Sequence, residues 1–353
     1  MRPMGEDTVP LLQRASTSLT FISHRFHSIA TPRIITSKVF ISICMIALAS
    51  PILFSHRDSI KDLSVPYSRP FTRPIPQFIA DGDTQCLPLT TPEMIAESVR
   101  KHATCRRYSP FMTGRARIAT VTAHFGSELE PYQEAFRTHL VHSLIHGTEV
   151  RVMCDPIIDD LWNKPAFILN LLMREMIKHE KERLEWIMWV DRDTMILDQC
   201  RPMSTFLPPE KSYFGSWWGG DQGKEEAANI TEVNLLASTD GNGLNNGVFL
   251  LRVNQWAISL FTAILAFRHY NPDVPLRFTE QSAMEHAIQT EAFKYQTQIV
   301  PQHWFNAYDD GGAMMYALRD NVQELGADKV RRGDYLVHFA GHVEKGKIIG
   351  EYK

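Results

Sequence analysis

The sequence predicts an α/β domain, a Rossmann-like and mostly parallel sheet with helices on both faces, preceded by a single N-terminal transmembrane helix. Three observations lead there. From about Arg115 onward, apolar runs of strand length alternate with amphipathic segments of helical period. Several of those runs, such as Glu185–Val190 and Gly247–Val253, are almost entirely apolar, as strands buried in a sheet are. Upstream, Val39–Phe54, "VFISICMIALASPILF", is sixteen residues without a charge.

That upstream run comes first in the chain. At about 1.5 Å per residue it makes roughly 24 Å of helix, short of a bilayer core of about 30 Å. Ile34 and Ile35 lengthen it, Lys38 can snorkel to the surface, and thin early secretory membranes suit short spans. Residues 1–38 carry a net charge of +3, so they are expected to stay in the cytosol with the bulk of the chain in the lumen. A signal peptide ending at Ala47-Leu-Ala49 is a rival, though 38 residues is long for the region before its apolar core; a buried core helix is another. Residues 55–114, with Pro66, Pro70, Pro74, Pro76, Pro88 and Pro92, read as an extended Pro-rich stem containing a short helix at Glu93–His102. The main domain then occupies 115–353. The whole chain has a net charge of −3, which leaves −6 after residue 38 and argues against nucleic acid as a partner.

Within the domain, Arg117–Ala123 reads as a strand, His124–Gly126 as a loop, Tyr132–His146 as a helix and Glu149–Met153 as a strand. Asn163 is placed to cap a helix with Pro165 in its first turn and Phe167, Ile168, Leu171, Leu172 and Met176 on its apolar face. After Glu185–Val190 and Gly247–Val253, Asn254 caps a helix that buries Trp256, Leu260, Phe261, Ile264 and Leu265. Thr279 caps another, with Ala283, Met284, Ala287 and Ile288 inward, and Tyr335–Phe339 is a late strand. Cys86, Cys105, Cys154 and Cys200 would be lumenal, where disulfides persist; of three possible pairings, Cys86 with Cys105 is expected because both precede the main domain. Asn229-Ile-Thr231 is a glycosylation sequon if lumenal.

The strand Glu185–Val190 runs into Asp191-Arg192-Asp193. In open α/β sheets ligands bind beyond the carboxyl ends of the strands, and two carboxylates at such a point suit a hard divalent cation that bridges them to phosphate oxygens. On their own they read more readily as a solvated strand-end turn.

Six segments in order supply the context. They are "VTAHFG" (121–126), "WNKPAFILNLLM" (162–173), "WIMWVDRDTMILD" (186–198), "GLNNGVFLLRVNQWAISLF" (243–261), "EQSAMEHAI" (280–288) and "LVHFAGH" (336–342). Together they resemble glycosyltransferase family 34, the fungal and plant family of galactosyl-, mannosyl- and xylosyltransferases with a GT-A nucleotide-diphospho-sugar transferase fold. The resemblance implies a retaining hexosyltransferase that uses Mn²⁺ to move a sugar from a nucleotide-sugar donor, UDP-galactose before GDP-mannose, to a glycan acceptor. It implies Asp191, Asp193 and His338 as metal ligands, with Asp191 also near the donor. Thr122, in the segment that resembles the family's first nucleotide-binding strand, would belong to the donor site. Asn245 and Asn246 would face donor sugar and acceptor, in a turn where Gly247 allows positive φ. Glu280 and Gln281 would lie beneath the sugar ring and stabilise its positive charge during a front-face transfer, a covalent glycosyl-enzyme through Glu280 being the alternative. Trp217–Asp221 would stack on a sugar or form an apolar turn.

Two departures stand out. Arg192 fills a middle position that is usually small in the family, so it either contacts the diphosphate or crowds the donor. The early lysine seen after "HFAGH" in some plant members is missing, so Lys347, or Lys345, is expected to stand in as a phosphate contact. The resemblance further implies a single-pass type II Golgi membrane protein with a lumenal catalytic domain. A scaffold subunit of a glycosyltransferase complex without activity of its own, or a glycan-binding module, is the rival from another class.

Overall fold

The computed structural model describes residues 76–108, 116–126, 130–208, 232–319 and 325–352. All lie in one unit, Arg73–Lys353. The span 39–54, the start of the stem, Trp217–Asp221 and the sequon at Asn229 lie outside the described residues. No helix among the described residues is long and apolar enough to cross a membrane.

Ten strands and seven helices organise the described chain. The strands are β1 (Phe78–Asp81), β2 (Ile118–Ala123), β3 (Glu149–Met153), β4 (Trp186–Val190), β5 (Thr194–Ile196), β6 (Leu235–Asp240), β7 (Gly243–Arg252), β8 (Thr297–Ile299), β9 (Ala307–Tyr308) and β10 (Leu336–His338). The helices are α1 (Pro92–Tyr108), α2 (Glu130–His146), α3 (Asn163–Ile177), α4 (Gln255–Tyr270), α5 (Glu280–Ile288), α6 (Gly312–Leu318) and α7 (Lys345–Glu351). Seven strands form the main sheet in the order β1-β3-β2-β4-β7-β6-β8. β1, β3, β2 and β4 run parallel. β7 runs antiparallel to both β4 and β6, and β8 is parallel to β6. The expected mostly parallel α/β sheet is therefore present.

Burial explains why β4 is apolar at every position. Ile187 and Trp189 face one core with Phe167, Ile168, Leu171 and Leu172 of α3, and with residues of α4 and α5. Trp186, Met188 and Val190 face a second core with Phe206, Phe305 and Tyr335. A strand covered on both faces cannot alternate polar with apolar residues. Asn254 caps α4 as expected, its Oδ1 accepting from Ala257 N at 3.0 Å.

Several expectations need correction. Asn163 does not cap α3: its side chain accepts from Ile157 N and Ile158 N and donates to the carbonyls of Ile158 and Asp160, knitting the preceding loop. Thr279 precedes α5 without a side-chain capping bond. The stem does not run to residue 114. Its part from Phe78 to Tyr108 packs into the domain, because β1 completes the sheet edge beside β3 and α1 packs beside α2. The disulfides join Cys86 to Cys154 and Cys105 to Cys200, not Cys86 to Cys105. Parallel pairing of β1 with β3 brings the chain after Asp81 next to the chain after Met153, which places Cys86 at Cys154. The late strand β10 joins not the main sheet but a second one, β5-β10-β9, with consequences for the site.

Candidate active site

Asp191 and Asp193 mark the point where the chain leaves one sheet for the other. Asp191 N donates to Gly247 O at 2.8 Å, the last link to the main sheet. Beyond Asp193 the chain becomes β5, antiparallel to β10, with Thr194 opposite His338. Phe339 N donates back to Asp193 O at 2.9 Å. This pairing carries His338 to the aspartates from far along the chain. One ligand atom each from Asp191, Asp193 and His338 fall within 4.8 Å of one another. Two carboxylates and an imidazole are compatible with a divalent metal.

Asp193 is 5% exposed. Its Oδ1 lies 3.4 Å from His338 Nε2 and its Oδ2 accepts from Lys345 Nζ at 2.6 Å. Burial opposes its charge, but the His338 and Lys345 contacts outweigh burial and hold the carboxyl well below the usual carboxylate range. Asp191 is more open, and its Oδ1 accepts from Trp189 Nε1 at 2.8 Å and lies 3.1 Å from Lys164 Nζ.

Behind His338 stands a buried amide network. Asn306 Oδ1 is 2.8 Å from His338 Nδ1 and has no hydrogen to give, so Nδ1 is the donor and Nε2 is the ring nitrogen turned toward the aspartates. Asn306 Nδ2 donates to Ser238 Oγ and to Asn245 Oδ1, both at 2.9 Å. Asn245 Nδ2 in turn reaches Asp240 Oδ2 and the Tyr308 hydroxyl. The residues present thus fit a metal: one imidazole nitrogen is anchored and the other faces carboxylates. Gly247 belongs to β7 and lacks the positive φ expected of a turn. Space is its reason: a Cβ there would stand 2.2 Å from His338 Cε1.

The second wall comes from α3 and α5. Lys164 Nζ, in the first turn of α3, lies 3.3 Å from Glu280 Oε1 as well as 3.1 Å from Asp191, and donates to Asn246 Oδ1 at 2.9 Å. Burial disfavours its charge, yet the Asp191 and Glu280 carboxylates prevail and raise its pKa. Glu280 is 3% exposed and its Oε2 has no hydrogen-bond partner among the described residues. Gln281 Oε1 accepts from Asn246 N at 3.1 Å. Just before them Thr279 adopts φ +49° and ψ −117°, a strained conformation for a β-branched residue.

Both walls line one cleft of about 830 Å³, which includes Asp191, Asp193, Lys164, Asn246, Glu280, Gln281 and Lys345. A smaller cavity of about 220 Å³ adjoins it and shares Phe125, Gly126, Tyr132 and Arg192. Next to the shared wall, burial, with contributions from Arg192 and His139, lowers the His124 pKa to about 4.

Of the residues named from sequence, Asp191, Asp193, His338, Glu280, Gln281 and Asn246 come together. Asn245 stands behind His338 rather than in the cleft. Thr122 is buried in β2, its hydroxyl without a partner among the described residues, and lines neither cavity. Lys347 is exposed beside Glu344 at 3.7 Å; Lys345, one helical position that faces inward, takes the cleft instead. Two site residues were missed. Lys164 carried a signal, a lysine in a first helical turn, where the dipole disfavours a cation. Asn306, in "WFNAY", carried none.

The family described as the galactosyl transferase GMA12/MNN10 family matches residues 142–348. The chain is 27% identical over 201 residues to the probable alpha-1,2-galactosyltransferase gmh1 of Schizosaccharomyces pombe, a match covering 52% of this chain and 54% of that one. The chain thus spans about half the length of this curated relative. A solved glycosyltransferase involved in the glycosylation of the major capsid of PBCV-1 is similar at a TM-score of 0.44 and 12% identity, over 66% of this chain and 98% of that one.

Proposed function

Because this chain belongs to the galactosyl transferase GMA12/MNN10 family, we propose that it is a retaining hexosyltransferase with a GT-A-type fold, moving galactose from UDP-galactose to a glycan with Mn²⁺. The observation that carries the reading is the cleft itself. Asp191 and Asp193 line one wall and form a metal-type triad with the buried His338, and Glu280 lines the other wall. The name of the relative, an alpha-1,2-galactosyltransferase, supports galactose and retention, since UDP-galactose is itself α-linked.

When bound, Mn²⁺ supplies a cation that offsets the charge gathering on the departing diphosphate. Lys164 lies between Asp191 and Glu280 and offsets the repulsion between the two carboxylates. The Glu280 carboxylate, on the wall opposite the aspartates, would offset positive charge on an anomeric carbon as its bond to phosphate breaks. The backbone of Asn246 orients Gln281 next to it. The acceptor oxygen bonds to the anomeric carbon from the face the diphosphate leaves, and its proton passes to the departing phosphate oxygen. Lys345, already on Asp193, adds positive charge at the diphosphate end of the cleft.

The same reading makes the chain a single-pass type II Golgi membrane protein, anchored by Val39–Phe54 with its catalytic domain in the lumen. The two disulfides support an oxidising compartment. The deciding experiment is transfer and hydrolysis with a panel of UDP- and GDP-sugars, with Mn²⁺ or with a chelator. UDP-galactose turnover that needs Mn²⁺ and is lost in Asp193→Ala is the expected result. Preference for GDP-mannose would replace the donor. No turnover and no metal-dependent nucleotide binding would leave the chain a scaffold subunit.

A further inference from the structure

Arg192 lies between the two aspartates in sequence yet pairs with neither. Its Nη1 donates to Phe125 O at 3.2 Å, and its guanidinium lies 4.5 Å from the centre of the Tyr132 ring. The other cations near the triad are already engaged: Lys164 with Asp191 and Glu280, Lys345 with Asp193. Arg192 makes no ion pair with a carboxylate among the described residues. A carbonyl and an aromatic face orient it. It also occupies the wall shared by the smaller cavity and the cleft, so a ligand that fills both must pass it.

We infer that Arg192 is a phosphate-binding residue, its guanidinium taking an anionic oxygen of a nucleoside diphosphate that extends from the smaller cavity into the cleft. The inference rests on the transferase reading above. A guanidinium suits such a role because its planar fork matches phosphate oxygens, and charge-assisted bonds of this kind are among the stronger ones. Pre-orientation by Phe125 and Tyr132 reduces the side-chain entropy lost when the ligand arrives. The alternative, that a bulky side chain between the aspartates crowds the donor, predicts tighter nucleotide binding once Arg192 is shortened.

Calorimetric titration of the full chain in the presence of Mn²⁺ tests it, with UDP, GDP, inorganic diphosphate and uridine as probes against wild type, Arg192→Ala and Arg192→Lys. Arg192→Ala is expected to weaken UDP and inorganic diphosphate by about 10- to 100-fold, the size of a lost hydrogen bond to a charged group, and to leave uridine unchanged. Arg192→Lys should fall between, because a lysine keeps the charge without the fork. UDP bound by Arg192→Ala as tightly as by wild type, or more tightly, overturns the assignment. An equal loss for UDP and uridine overturns it too, because it would make Arg192 a prop for Tyr132. A wild-type chain that binds no nucleoside diphosphate overturns the transferase reading itself, so the two failures are distinguishable.

Discussion

Asn306 Oδ1 accepts the Nδ1 hydrogen of His338 at 2.8 Å, with both side chains buried. The amide cannot turn over, because its Nδ2 is committed to Ser238 and Asn245. His338 is thereby held in one ring orientation, with Nε2 directed at Asp193.

Asn306→Leu removes the acceptor and should lower Mn²⁺ affinity about 10- to 100-fold, the usual cost of losing an outer partner of a ligating histidine. Electron paramagnetic resonance of free Mn²⁺ measures this without any turnover. Undiminished affinity in a folded Asn306→Leu chain would show that the amide does not position His338.

Gly247→Ala puts a methyl group 2.2 Å from His338 Cε1, a contact that the ring must leave. Mn²⁺ affinity should fall, and stability should drop by about 1–3 kcal/mol through overpacking. Gly350→Ala is the control: nothing lies within 4 Å of its added Cβ. Equal metal binding and denaturation midpoints in both variants would refute the account of Gly247.

Lys164→Met leaves Asp191 and Glu280 facing each other without the cation between them. Loss of a partner from a largely buried ion-pair group costs on the order of 3 kcal/mol. Turnover should fall by about 10²-fold or more, because charge that the cleft keeps pre-organised is lost. Urea unfolding and single-turnover rates separate the two effects. A variant with wild-type turnover would remove Lys164 from the machinery.

Acid should loosen the α2 packing. His139 lies fully buried, its Nε2 at 3.1 Å from Thr194 O, and burial lowers its pKa from 6.5 to about 4. His142, at 2.8 Å from Arg201 O, is lowered further, by burial first and then by His146. Neutral imidazoles in the fold and protonated ones in the unfolded chain mean that the unfolded state binds more protons between these values. Stability is therefore fully present above about pH 6.5 and is lost as the pH falls toward 4, by up to about 3 kcal/mol for His139. Melting temperatures at pH 7 and pH 5 check this, and His139→Gln should flatten the slope. A melting point that does not move would contradict it.

Which residues could be recognised in advance follows from the range of the forces that place them. Strand β4 announces itself as an unbroken apolar run, because both its faces are buried, and the inner faces of α3, α4 and α5 through helical periodicity. Asp191 and Asp193 stand out only through the motifs around them, because two carboxylates at a strand end otherwise read as a solvated turn. Asn306 and the two disulfides follow no period; their partners are set by which strands lie side by side.

The sequence by itself determined the α/β alternation, the metal-type aspartates and, through the order of its motifs, the family. Only the tertiary structure decided that β10 leaves the main sheet to bring His338 against Asp193, that Lys345 rather than Lys347 enters the cleft, and that Arg192 turns to Tyr132. The physical reason is that local pattern fixes which face of an element is buried, while strand pairing and side-chain packing between distant segments fix what that face meets.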